Sequence, residues 1–193
     1  MPYRYIVITG PKHSGKSLAS HALEKILGLE TVDLDELVEK QTGKSPRTLY
    51  KEGPGVFRKA EEQALASLAG QTEQGTAGLI IAAGGGIADN ADAMAWLSRR
   101  KEIISVYLDV SAETAWQRIL KTSAGGELPP FLKTENPRET HRVLHERRAG
   151  VYRTFARIII SAENKNPEEI AKEIAGHPEL RNFGTSWGQH AEN

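Results

Sequence analysis

Short apolar runs alternate along this chain with longer stretches whose apolar positions recur three and four residues apart, the pattern of strands separated by crossover helices. Tyr5-Ile6-Val7-Ile8-Thr9 reads as a first buried strand. Leu79 to Ala82, Ile103 to Leu108 and Ala156 to Ile160 read as further strands, with a shorter one over Glu30 to Val32. Helices are predicted over Lys16 to Leu27, Val56 to Leu68, Ala93 to Arg99, Ala112 to Leu120 and Arg138 to Tyr152. Two cap signals sharpen the boundaries: Ser111 before Ala112-Glu113, and Asn166-Pro167-Glu168-Glu169 opening a last helix. Crossover helices force parallel neighbours and cover both faces of a sheet, so the expectation is an α/β/α sandwich around five parallel strands.

Two segments carry no period. Residues 122–136, with Gly125-Gly126 and Pro129-Pro130, fall between two predicted helices and read as a mobile loop. Residues 177–193 mix His, Gly, Asn and Ser around an isolated Trp187 and read as a loosely ordered tail, leaving a single domain over 1–176.

Composition narrows the function classes. With 193 residues, 39% hydrophobic and 26% charged, the chain can bury one real core. Lys plus Arg and Asp plus Glu both number 25, so no overall field favours nucleic acid or an anionic membrane, and neither is expected as a partner. The absence of cysteine removes disulfide, thiolate and Cys-ligated zinc chemistry. The first ten residues lack the layout of a signal peptide and no apolar run reaches the ~20 residues of a membrane span, so a cytoplasmic address is expected.

The sharpest chemical signal is Gly10-Pro11-Lys12-His13-Ser14-Gly15-Lys16-Ser17, a complete G-x-x-x-x-G-K-[ST] between a predicted strand and helix. Its glycines let successive amides converge on phosphate oxygens, the helix start adds its positive end, Lys16 neutralises the β and γ phosphates, and Ser17 is a Mg²⁺ ligand. His13 fills a variable position of this ATP-binding loop and has no chemical part of its own. The other reading, a structural turn with a surface lysine, has the complete motif and its context against it.

The acceptor must be sought where other strands end. Asp33 and Asp35 flank Leu34 there, so strand alternation would send both carboxylates to one side, one for a hydrated metal and one for an attacking hydroxyl; Asp35 could equally cap a helix. Arg58 and Glu61 stand three apart on a helix face, as a ligand-binding pair or an ordinary surface ion pair. Gly84-Gly85-Gly86 follows a strand directly, allowing close ligand approach or simply a tight turn.

Taken together, in this order and spacing, the P-loop, Asp33-Leu34-Asp35, Phe57-Arg58 with Glu61, and the triple glycine resemble the shikimate kinase family over nearly the whole length to about Ala175. Arg148-Ala149-Gly150-Val151-Tyr152 is a weaker match to the family's R-x-P-L-Y, with Gly150 at the usual proline. The resemblance implies a nucleoside-monophosphate-kinase-like sheet in the order 2-3-1-4-5, Mg²⁺-ATP as donor, the 3-hydroxyl of shikimate as acceptor, and a monomer. It implies that Lys16, Asp35 and Arg58 are catalytic and that Asp35 binds the acceptor hydroxyls. Arg58 and Arg148 would clamp the acceptor carboxylate beside Gly84, Gly85 and Gly86. Asp33 would hold the metal with Ser17, Glu61 would brace Arg58, and Arg118 would lie against adenine. The acceptor-binding helices fall within about 35–62.

Two departures stand out. The family's lid reads R-P-L-L, whereas this chain reads Pro129-Pro130-Phe131-Leu132, leaving Lys133 or Arg138 to supply the charge; Pro54 replaces a usual glutamate. Two rival readings remain open: a kinase for another small hydroxy acid such as gluconate, and a nucleotide-binding homologue with weakened catalysis.

Overall fold

In the computed structural model, which describes residues 3–71, 78–122, 128–180 and 183, the fully buried strand Tyr5–Thr9 (β1) lies at the centre of the sheet. The other strands are Glu30–Asp33 (β2), Leu79–Ala82 (β3), Ile103–Asp109 (β4) and Ile158–Ser161 (β5). Their order is β2-β3-β1-β4-β5 and every pairing is parallel, as the alternation of strands and helices predicts. β1 is flanked on both sides, with Ile6 opposite Ile80 of β3 and Ile104 of β4.

Side-chain alternation splits the core in two. Tyr5, Val7, Leu79 and Ile81 face one layer, built by Leu34–Thr42 (α2), Pro46–Glu52 (α3), Pro54–Gln71 (α4), Ala91–Ser98 (α5) and Pro137–Phe155 (α7). Ile6, Ile8, Ile80 and Ile104 face the other, built by Lys16–Leu27 (α1) and Pro167–Ala175 (α8), with Ala115 of Ala112–Thr122 (α6). The central strands are apolar on both faces for this reason. At the edge of the sheet β5 buries Ile158 and Ile160 but leaves Ile159 half exposed.

The predicted caps form. Ser111 Oγ accepts from Thr114 N, and Asn166 with Glu169 makes a reciprocal capping box. Some element limits differ, and one helix is additional. Pro54 starts α4 two residues earlier than the apolar period suggests, since a proline fits the first helical turn. β5 starts at Ile158, because Ala156 N still donates to Tyr152 O of α7. α3, a separate short helix, is capped by Ser45, whose side chain accepts from Thr48 N, and anchored by the buried Leu49.

The chain past Ala175 does not turn loose at once. Pro178–Leu180 forms a 3-10 turn, Leu180 is buried against the α1/α8 layer, and Glu179 pairs with Arg157 at 2.7 Å. Residues 181–182 and 184–193 of the expected tail, and 123–127 of the expected lid, lie outside the described residues. Within the described part of that segment, Leu132 is fully buried on Trp116 and Ile119 of α6. Trp116 lies against His141 of α7, whose pKa burial pushes down to about 4, so the seam under the lid packs as neutral rings. Among the described residues no helix is long and apolar enough to cross a membrane.

Candidate active site

The loop between β1 and α1 wraps one lysine. Gly10 adopts φ 151°, and a Cβ there would fall 2.8 Å from Ser14 Oγ and 2.9 Å from Leu108 O, so only glycine fits. Lys16 is buried, and its Nζ donates to Gly10 O at 3.0 Å and Pro11 O at 2.8 Å. Burial pushes its pKa down to about 8, against the pull of Asp35 and Asp33. An ammonium held by loop carbonyls is poised to exchange them for phosphate oxygens. Ser14 Oγ is buried without a partner, a hydroxyl left for a ligand to satisfy. His13 takes a left-handed φ of 62°, uncommon for a side chain with a Cβ, and its carbonyl accepts from Arg118 Nη1 at 3.1 Å. Arg118 also donates to Ala162 O, tying the loop to the chain after β5. The sequence gives no sign that His13 would carry this turn.

Asp33 and Asp35 reach the site by a route other than strand alternation. β2 ends at Asp33 and α2 begins at Leu34, so Asp33 caps α2: its Oδ1 accepts from Asp35 N at 3.0 Å and its Oδ2 from Ser17 Oγ at 2.9 Å. Asp35 is therefore not the cap. It sits in the first helical turn, and its carboxylate covers Gly84, where a Cβ would lie 2.7 Å from Oδ1. Burial raises the pKa of Asp35 and Asp33 adds to the rise, while Lys16 and Lys12 oppose it.

The triple glycine packs against the P-loop itself. A Cβ on Gly85 would lie 2.9 Å from the backbone nitrogen of Lys12, so this close approach requires glycine. Gly85 O accepts from Arg148 Nη1 at 3.1 Å and from Tyr152 Oη at 2.9 Å, both on α7. Gly86 lies alongside, at ordinary contact distance from Arg148. Arg148 is further held by Asp89, and Asp89 also takes Arg147 at 2.8 Å. Nothing in the local sequence singles out Asp89, because its partners lie on a distant helix.

Arg58 and Glu61 do not pair. Arg58 is exposed and forms no ion pair among the described residues, whereas Glu61 is 1% exposed. Asn90 Nδ2 bridges the two differently, donating to Glu61 Oε2 at 2.8 Å and to Arg58 O at 2.9 Å. Burial raises the Glu61 carboxyl to about 7; the Asn90 bond opposes the rise, and Asp35 and Asp89 reinforce it. Asn90 also caps α5, accepting from Ala93 N.

A cavity of about 440 Å³ opens beside these groups, with Lys12 and His13 on the P-loop side, Arg148 on another, and Leu128, Pro129 and Phe131 as its lid-side rim. Neither Lys133 nor Arg138 lines it. Arg138 instead pairs with Glu113 of α6 at 2.7 Å on the outer surface.

Comparison with known proteins identifies the family. A family model described as shikimate kinase matches residues 12–177. A shikimate kinase from a Marinomonas species is 32% identical over 88% of this chain and 88% of its own. Among solved structures, shikimate kinase from Acinetobacter baumannii in complex with shikimate superposes with a TM-score of 0.75 at 29% identity, covering 89% of this chain and 90% of that one. The enzyme from Aquifex aeolicus gives 0.71 at 28%, over 88% and 93%. The chain is thus a member of the shikimate kinase family.

Proposed function

We propose that this protein transfers the γ-phosphoryl group of ATP to the 3-hydroxyl of shikimate. The observation that carries the reading is Asp35, whose half-buried carboxylate lies over Gly84 within the field of Lys16 and Lys12. A carboxylate there can orient an acceptor hydroxyl and take its proton as the phosphoryl group leaves the P-loop. Arg148 meets the requirement for a planar guanidinium beside a carboxylated acceptor, with Arg58 as a second donor from α4. The backbone of Gly84, Gly85 and Gly86 is assigned to the acceptor beside Arg148.

The donor set for a metal also fits. Ser17 Oγ and Asp33 Oδ2 are hard oxygens 2.9 Å apart, and Mg²⁺ bound with phosphates needs only one or two protein oxygens. Held by these two residues, Mg²⁺ would neutralise charge on the β and γ phosphates. Arg118, at the back of the loop, is assigned to the adenine side. In this reading the kinase domain spans residues 1–176, with acceptor-binding helices in 35–62 and a lid in 122–136. The enzyme works as a monomer in the cytoplasm, where its ATP donor is maintained.

Phosphoryl transfer through a loose transition state rests on alignment and on positive charge around the transferred group. A coupled ADP-release assay with shikimate, with gluconate and with no acceptor tests the reading. Release that depends on shikimate supports it. Equal release with gluconate indicates a broader hydroxy-acid kinase, and none with either acceptor indicates a nucleotide-binding homologue.

A further inference from the structure

The cavity between the P-loop and residues 128–132 is one-sided in its charge. Lys12, Arg47, Lys51 and Arg148 line it together with His13, and no carboxylate does among the described residues. The protein as a whole is neutral, so this local excess is built rather than inherited from composition. Two of the cations come from α3. Leu49 anchors that helix in the core, and Arg47 and Lys51, four residues apart, line the cavity with Tyr50 between them. Neither forms an ion pair among the described residues, although an acid stands on the same helix: Glu52 is taken instead by Lys44 at 2.7 Å. The rim facing them, Leu128, Pro129 and Phe131, brings no charge.

A phosphoryl group in transfer spreads negative charge over three equatorial oxygens. The P-loop can cover only the side that faces Lys16 and the loop amides. Resting on the kinase reading above, we propose that Arg47 and Lys51 of α3 form the cationic wall on the opposite side and bind the oxygens of the transferred phosphoryl group. The charge that an uncharged lid rim does not bring thus comes from the acceptor-binding half of the molecule. Arg47 offers a planar donor fork and Lys51 a compact point charge, so the arginine is the stronger of the two contacts. With no acid among the described lining residues, the cations repel one another until an anion enters.

The test compares wild type, Arg47→Ala, Lys51→Ala and the double variant by titration with ADP and Mg²⁺ alone, then with aluminium fluoride added to mimic the transferred group, beside steady-state turnover. The double variant is expected to bind ADP as the wild type does. It should lose about tenfold or more of the affinity that fluoride adds, and about a hundredfold in kcat, the lower end of what loss of a preorganised donor costs. Pro129→Arg in the double background should restore part of both. The proposal is overturned by a double variant that keeps the wild-type response to fluoride, by one that loses ADP alone to the same degree, or by a wild type that gains nothing from fluoride. If the wild type does not turn over shikimate while the double variant still weakens the fluoride complex, the α3 assignment stands and the acceptor reading falls.

Discussion

Arg148 and Asp89 meet side-on, with Nη2 2.7 Å and Nε 3.2 Å from one carboxylate oxygen, while the remaining terminal nitrogen of the guanidinium donates to Gly85 O at 3.1 Å. The guanidinium is thereby fixed in plane and rotation, and it lines the cavity from that position. Asp89 is shared with Arg147, so its charge is divided and does not cancel that of Arg148.

In the kinase reading proposed above, Asp89 orients the acceptor clamp. Asp89→Asn keeps the shape but loses the charge-assisted bonds, and should raise the KM for shikimate roughly tenfold, a little over 1 kcal/mol, with kcat and the KM for ATP nearly unchanged. Steady-state kinetics with each substrate varied checks it. A lowered KM for shikimate would mean that Asp89 competes with the substrate instead.

Lys16 should bind a proton when ATP binds. Its pKa of about 8 reflects burial away from phosphate, and phosphate oxygens replacing carbonyls favour the charged form. Near pH 8 to 9 the heat of ATP binding should vary with buffer ionisation enthalpy, showing net uptake, and near pH 6.5 the variation should vanish. Lys16→Ala should abolish the uptake and lower kcat by at least about a hundredfold.

Asp35 is expected to act on the acceptor rather than the donor. Asp35→Asn retains the packing over Gly84 but cannot take a proton, so kcat should fall by about a hundredfold or more while ADP binding stays near wild type. Because burial raises its pKa, the acidic limb of the kcat profile should lie above the ordinary aspartate range in the wild type. A fully active Asp35→Asn enzyme would remove the carboxylate from the chemistry.

Glu61 sets a pH dependence of stability. Its folded pKa of about 7 lies above the 4.5 of a free glutamate, so between these values the folded state holds a proton that the unfolded state has lost. Stability should therefore decline as pH rises from about 4.5 to 7, by up to about 3 kcal/mol, and level off above. Glu61→Gln can still accept from Asn90 and should flatten that window in chemical denaturation, leaving the variant the more stable protein above pH 7.

Arg58 and Glu61 show where helix spacing stops being informative. Three residues apart on α4, they look like a pair, yet Glu61 turns into the core to meet Asn90 while Arg58 stays in solvent. Asp33 and Asp35 were legible as candidates, with Asp35 as one possible cap, but the structure gives the cap to Asp33, because the exact end of β2 is decided by pairing with β3 rather than by the residues themselves.

What the sequence determined by itself is local or periodic: the parallel α/β layering written in alternating apolar runs and amphipathic stretches, the caps at Ser111 and Asn166, and the P-loop, whose function lies in one continuous segment. Those features depend on neighbours a few positions away, so they leave a readable pattern. Tertiary structure alone decided that Asp89 holds Arg148 across 59 residues, that Gly85 lies on the backbone of Lys12, and that Arg47 and Lys51 share a cavity with Pro129. Each of these joins residues from separate crossovers, and their approach is fixed by how the helices pack over the ends of the strands, a relation that no spacing along the chain encodes.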